Sequence, residues 1–331
     1  MKKIGVIGTG IWGTALALTA ARAGNEVLCW ARRQEVVDAV NQKHVNKDYL
    51  PDIPLPDAIR ATANMEEACR FSDVVLLTTS AQYTRAALRR MQPFVKAGTT
   101  IVLCAKGIEA ETGKMLSEIA AEETPAATVA VLSGPGFAID VAKRKLTSTT
   151  IACAREGAAA GLAQQLGTPF FRPYLTADII SPQIGGSVKN VIAIASGVVE
   201  GAGFGDGARA ALITRGLNEM ARLSKALGGT LPTMMGMSGL GDLVLTASCS
   251  QSRNFSFGYE VGAHGQAQKP LEQNTRTVEG IASAKAVVKR AREAGIEMPI
   301  CEMVNKVLFE RMPLTKAIEE LMSRPYKEEG F

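Results

Sequence analysis

The chain has 331 residues, 47% of them hydrophobic and 21% charged, a balance that suits a folded globular protein and excludes a disordered one. This length exceeds one ordinary core and points to two domains. The formal net charge of +5 comes with no dense Lys/Arg run and with only 5% aromatic residues, so nucleic acid is a poor candidate partner; a small anionic molecule suits the mild positive field, as does a merely solvated surface.

Lys2-Lys3 precede an apolar stretch, but Gly8, Gly10 and Gly13 interrupt it and no cleavage pattern follows, so a signal peptide is not expected. No uncharged run is long enough to span a bilayer. The run Ile4–Ile7 reads as a strand, residues 12–23 as a helix ending near Gly24, and Glu26–Trp30 as a second strand. Further strands are expected over Val74–Thr78, Ile101–Cys104, Val129–Ser133 and Thr150–Cys153, with helices between them over Tyr83–Met91 and Lys114–Glu122. Alternating β and α segments with non-alternating apolar strands predict a parallel sheet covered on both faces. From about Ile184 the runs become long and rich in Ala, Leu and Met, which predicts helices over 187–199, 208–227, 281–294 and 303–311. The fold class is therefore α/β, an N-terminal Rossmann-type doubly wound sheet followed by an all-helical C-terminal domain. Ser181-Pro182 marks the expected boundary, giving a dinucleotide-binding domain over 1–182 and a substrate-binding domain over 183–331. The polar, Gln-rich stretch 262–274 reads as a surface loop, and the charged tail 324–331 as frayed.

The six cysteines are scattered, without a CxxC pair or a nearby His, which argues against zinc and against a disulfide framework. A reducing, cytoplasmic setting is expected.

Gly8-Thr-Gly10-Ile-Trp-Gly13 follows a strand and opens a helix. In that context Gly8 permits the tight turn, Gly10 lets backbone approach a pyrophosphate, and Gly13 lets helix and sheet pack closely. Free N–H groups and the positive dipole end at the helix start suit the phosphates. An NAD site ordinarily carries Asp or Glu at the end of the second strand, whereas this chain has Arg32 and Arg33. Two guanidiniums hold a 2′-phosphate, so NADP is favoured over NAD; a solvated loop is the plain alternative.

Reducing a ketone by hydride transfer needs a proton donor. His44 and His264, the only histidines, lie in polar segments without motif-like surroundings. Lys106-Gly107 follows a strand at its carboxyl end, where ligands bind in open α/β sheets. Lys189-Asn190 follows Gly185-Gly186 near the expected start of the first long helix, where burial lowers a lysine pKa. Asp242, between apolar residues in Gly239-Leu-Gly-Asp-Leu243, needs a partner, and a lysine is the natural one. Ser252-Arg253-Asn254 opens a helix and reads either as a phosphate clamp or as ordinary capping by Ser252 or Asn254. Ser133-Gly134-Pro135-Gly136-Phe137-Ala138 ends a strand and reads as a turn or as a backbone wall against a substrate.

In combination these motifs resemble the bacterial NAD(P)-dependent glycerol-3-phosphate dehydrogenases over nearly the whole chain and in the same order. The most specific are 106–113 (KGIEAETG), 133–135 (SGP) and 185–190 (GGSVKN), followed by 210–216 (AALITRG), 239–243 (GLGDL), 251–254 (QSRN) and 278–280 (VEG). The resemblance implies reduction of dihydroxyacetone phosphate to sn-glycerol 3-phosphate, a phospholipid precursor, with Lys189 as proton donor and acceptor. It implies Lys106, Gly134, Asp242, Ser252, Arg253 and Asn254 around the substrate. Ile11, Trp12, Arg32, Lys106, Ala138, Arg253, Thr277 and Glu279 would lie along the dinucleotide. At Gly136 the family usually carries Ser or Thr, so one hydroxyl contact to substrate is missing and a water is its expected replacement. A β-hydroxyacid or 6-phosphogluconate type dehydrogenase is the rival enzyme, but those place the asparagine a turn later than Asn190; a non-catalytic dinucleotide sensor is the rival of another class. Neither metal nor membrane insertion is expected, and the oligomeric state stays open, a homodimer included.

Overall fold

Alternation along the strands explains the N-terminal architecture. Ile4, Val6, Leu76, Val102, Ala130, Leu132 and Ile151 belong to one apolar cluster, while Ile7, Val75, Leu77, Ile101, Leu103, Val131 and Ala152 belong to a second. Neighbouring residues on one strand thus supply opposite faces, and both faces are covered. The computed structural model describes residues 2–275, 277–326 and 328. The chain forms two compact units, one of residues 1–105 and 115–179, the other of 106–114 and 180–331.

The first unit holds an eight-stranded sheet: β1 (Lys3–Ile7), β2 (Glu26–Trp30), β3 (Ile59–Thr62), β4 (Val74–Leu77), β5 (Thr100–Leu103), β6 (Thr128–Ser133), β7 (Thr147–Ala152) and β8 (Phe171–Thr176). Their order is β3-β2-β1-β4-β5-β6-β7-β8. All neighbours are parallel except β6 and β7, so the fully parallel sheet expected from the sequence is corrected to a mixed one. Strand order reverses between β1 and β4, and the carboxyl ends flanking such a reversal are where doubly wound sheets bind ligands. Both edge strands lie outside the expected set. β3 is only four residues long and carries Arg60. β8 contains Pro173 and leaves Tyr174 and Leu175 about half exposed, a composition that an edge tolerates and a buried strand does not.

The second unit is helical. Its central helix, Ser181–Gly201, is buried along 181–197. It starts six residues before the predicted 187, because Pro182 occupies the first turn, where its missing N–H costs nothing. Gly185 also belongs to the helix: a side chain there would collide with the Ser238 carbonyl. Lys189 consequently sits beyond the second turn rather than near the start. The helix Arg253–His264 packs on the same element, and the expected loop over 262–274 is corrected to the end of this helix plus a short one, Gln268–Gln273. The remaining long helices are Gly205–Ala226, Glu279–Glu293, Pro299–Phe309 and Leu314–Met322. Among the described residues no helix is long and apolar enough to cross a membrane. All six cysteines are free and five are buried. Of the tail expected to fray, residues 327 and 329–331 lie outside the described residues.

Candidate active site

In the first unit, the chain leaves β1 at Gly8, whose φ of +110° is ordinary only for glycine. Gly10 then caps the helix Ile11–Arg22 without a side-chain oxygen, and no acidic residue occupies the first turn. The opening N–H groups are left for a ligand, with the positive end of the helix dipole behind them. A side chain at Gly13 would collide with the Gly8 carbonyl and the Thr78 hydroxyl, so the helix crosses the turn at glycine distance. Asn46, 1% exposed, braces the turn by donating to the Thr9 carbonyl at 2.9 Å and to Thr14 Oγ1 at 2.8 Å. Among the described residues, Trp12 Nε1 and Thr79 Oγ1 are buried without a hydrogen-bond partner. Unspent donors around a glycine turn at the switch point fit a dinucleotide.

Past β2, Arg33 is ion-paired with Asp48. Arg32 is exposed and, among the described residues, enters no ion pair, which leaves it as the guanidinium available to a 2′-phosphate. At the end of β6, a side chain at Gly134 would come within 2.8 Å of the Thr149 backbone. One at Gly136 would meet Thr147 Cγ2 at 3.1 Å. Ala138 opens the helix Ala138–Ala142.

The second unit gathers the ionisable groups. Lys189 is 5% exposed and Asp242 1%. Lys189 Nζ donates to Asp242 Oδ1 and, at 2.8 Å, to Thr246 Oγ1. Lys106 Nζ donates to Asp242 Oδ2 at 2.8 Å. One buried carboxylate thus bridges two ammoniums. Asp242 is delivered by a π-helical turn, Met237–Gly241, that runs into the helix Asp242–Ala247; Thr246 follows one turn on and faces the same lysine. Burial pushes the Lys189 pKa down, Asp242 pushes it up and the Lys106 charge pushes it down again, leaving it at about 8. Burial alone would raise the Asp242 pKa, but Lys106 and Lys189 outweigh it and hold the carboxyl below its ordinary value. A lysine that titrates near neutrality exchanges protons readily.

Beside this cluster, Asn254 Nδ2 donates to Asn190 Oδ1 at 2.9 Å, and Gly280 N donates to Asn254 Oδ1 at 2.9 Å. Ser252 caps the helix Arg253–His264 by accepting from Phe255 N at 3.3 Å, which leaves its own hydrogen to donate. Arg253 is exposed at that helix start. Glu279 opens the helix Glu279–Glu293; burial raises its pKa, against Arg253, Lys106 and Lys189, which lower it. Thr277 is exposed just before it. His44 and His264 are both exposed.

Residues 3–159 match the family model for the NAD-dependent glycerol-3-phosphate dehydrogenase N-terminus, and residues 178–319 match that for its C-terminus. The chain belongs to this family. It is accordingly an NAD(P)-dependent oxidoreductase. A glycerol-3-phosphate dehydrogenase [NAD(P)+] of Maricaulis maris is 49% identical over 327 residues, covering 98% of this chain and 97% of the relative. One from Paramagnetospirillum magneticum is 56% identical over 257 residues, covering 78% and 93%. The crystal structure of glycerol-3-phosphate dehydrogenase from Coxiella burnetii superposes with a TM-score of 0.91 at 35% identity, covering 98% of this chain and 99% of that one.

Within this dehydrogenase chain, Lys106, Lys189 and Asp242 fall in one cluster and Ser252, Arg253, Asn254, Thr277 and Glu279 in the same unit. Gly8, Gly10, Ile11, Trp12, Gly13, Arg32, Arg33, Gly134, Gly136 and Ala138 belong to the other unit. The sequence reading omitted Thr246 and Asn46. Thr246 had a readable signal, its place one helical turn after Asp242. Asn46 had none, since it reaches the turn from an irregular segment.

Proposed function

We propose that this chain catalyses reversible hydride transfer between NAD(P)H and dihydroxyacetone phosphate, yielding sn-glycerol 3-phosphate, with Lys189 giving and taking the proton. The observation that carries the assignment is the buried Lys189 ammonium held by Asp242 and Thr246 with a pKa of about 8. The nicotinamide supplies the hydride when bound. Lys189 gives its proton to the carbonyl oxygen as the carbon is reduced, and retrieves it in the reverse direction. Asp242 fixes the amine and carries the compensating charge, while Lys106 both tunes Lys189 and presents a second cation to the substrate. Ser252, Arg253 and Asn254 anchor the phosphate, so that binding energy remote from the reacting carbon orients the carbonyl. Gly134 and Gly136 line the substrate.

The glycine turn (Gly8, Gly10, Gly13), Ile11, Trp12, Lys106, Ala138, Arg253, Thr277 and Glu279 hold the dinucleotide. Arg32 takes a 2′-phosphate, with Arg33 beside it occupied by Asp48, and this favours NADP. The product serves glycerophospholipid synthesis in the cytoplasm, a setting in which six unpaired thiols persist. Initial rates with dihydroxyacetone phosphate, using NADPH and NADH side by side, test the assignment. Turnover with this substrate and a higher kcat/KM for NADPH are expected. No oxidation of either cofactor would overturn it.

A further inference from the structure

A cavity in the first unit lies where the reaction has no use for it. The helix that begins at the glycine turn ends at Arg22, about 18 Å away for its 12 residues. There a concavity of about 290 Å³ is lined by Thr19, Arg22, Arg144, Thr168, Phe170 and Phe171, among others, and among the described residues by no acidic side chain.

Arg22 is half-buried and donates to the carbonyls of Val141 at 3.1 Å and Ala142 at 2.7 Å. These neutral acceptors, the last carbonyls of the helix Ala138–Ala142, use two of its five N–H groups, and among the described residues no carboxylate pairs with it. Burial, and then the charge of Arg144, lower its pKa. Arg144 follows the helix Ala138–Ala142 with a left-handed φ of +60°, the conformation of a helix C-terminal cap, and among the described residues it enters no ion pair. The acid nearest in sequence, Asp140, is paired with Lys145 at 2.7 Å. Thr168 Oγ1 accepts from the backbone N–H groups of Phe170 and Phe171 at 3.3 and 3.0 Å and keeps its own hydrogen free to donate. Phe170 is 45% exposed at the rim, above the buried Phe171. Two guanidiniums with no carboxylate partner among the described residues, together with a hydroxyl donor and an aromatic wall, are the parts of an anion receptor. The volume sits at the small end of ligand pockets and exceeds what a bare inorganic anion fills.

We propose that this cavity is a second anion site, separate from the dehydrogenase chemistry, for a small organic phosphate or carboxylate with an apolar body. The anionic head sits between Arg22 and Arg144 and takes the Thr168 hydrogen; the apolar body lies against Phe170.

Phenyl phosphate is the probe, titrated into the full chain with saturating NADP and followed by amide chemical shifts. Inorganic phosphate and phenol serve as parallel arms. Saturable shifts at residues 168–171 are expected, with phenyl phosphate binding several-fold more tightly than either arm. Arg144→Gly relaxes the backbone and removes one charge; it weakens phenyl phosphate at least about tenfold and leaves the rate with dihydroxyacetone phosphate unchanged. Phe170→Ser weakens phenyl phosphate but not inorganic phosphate. Unchanged affinity in Arg144→Gly, or shifts confined to other regions, would overturn the proposal; equal affinity for phenyl phosphate and inorganic phosphate would overturn the apolar part of it.

Discussion

The glycine turn of the first unit offers mainly backbone drawn from residues 8–13, namely open N–H groups, a positive φ and a close helix crossing, with Asn46 bracing it from outside. The lysine cluster of the second unit draws on Lys106, Lys189, Asp242 and Thr246, dispersed along the chain, and offers side-chain charge held out of water. A backbone site is robust to most substitutions and vulnerable at its glycines. A charge cluster behaves oppositely, because each member sets the ionisation of the others and removing one leaves the rest buried and unbalanced.

Substitutions that touch one unit and spare the other expose this contrast. Lys189→Ala is expected to have the largest effect, lowering kcat by about 10³-fold while dinucleotide affinity, read by fluorescence titration of NADPH, stays within a factor of a few. Asp242→Ala leaves two ammoniums without their carboxylate. Stability of the second unit should fall by about 3 kcal/mol, measurable by urea unfolding, and activity should fall with it. Arg32→Ala should raise KM for NADPH about tenfold, the worth of a charge-assisted contact, and leave KM for NADH nearly unchanged in steady-state rates.

A smaller effect concerns Glu219, which is 2% exposed and accepts from Ile300 N at 2.6 Å and Cys301 N at 3.2 Å, pinning the start of the helix Pro299–Phe309. Burial raises its pKa to about 7, against the two backbone donors, which lower it. The folded chain therefore keeps this proton between its ordinary value of 4.5 and about 7, where the unfolded chain has released it. The stabilisation is complete below that window and is lost as pH rises through it. Glu219→Gln should flatten this part of the dependence of Tm on pH, seen by calorimetry between pH 5 and 8 as a difference of a few degrees.

The same contrast explains what could be read before the structure. The glycine turn, the central strands and the helical second half were legible because their signals are local: glycine spacing, apolar runs and helix-period segments. The edge strands β3 and β8 were not, since Arg60 and Pro173 break the apolar pattern that a buried strand shows and an edge does not need. Pro182 looked like a break and Gly185 fell outside the expected helix, yet one lies where a helix accepts proline and the other where a neighbouring carbonyl demands glycine. A lysine partner for Asp242 was foreseeable from the cost of burying a lone charge. That two lysines share it was not, because the pairing depends on tertiary packing.

The titration of Lys189 bears most directly on the proposed chemistry. The profile of kcat/KM against pH for sn-glycerol 3-phosphate oxidation reports the free enzyme's base, and should rise through about pH 8 to a plateau. In Lys106→Met, loss of the neighbouring positive charge should move that midpoint upward. A flat profile across this range, or a midpoint indifferent to Lys106, would contradict the assignment of Lys189 as the proton carrier.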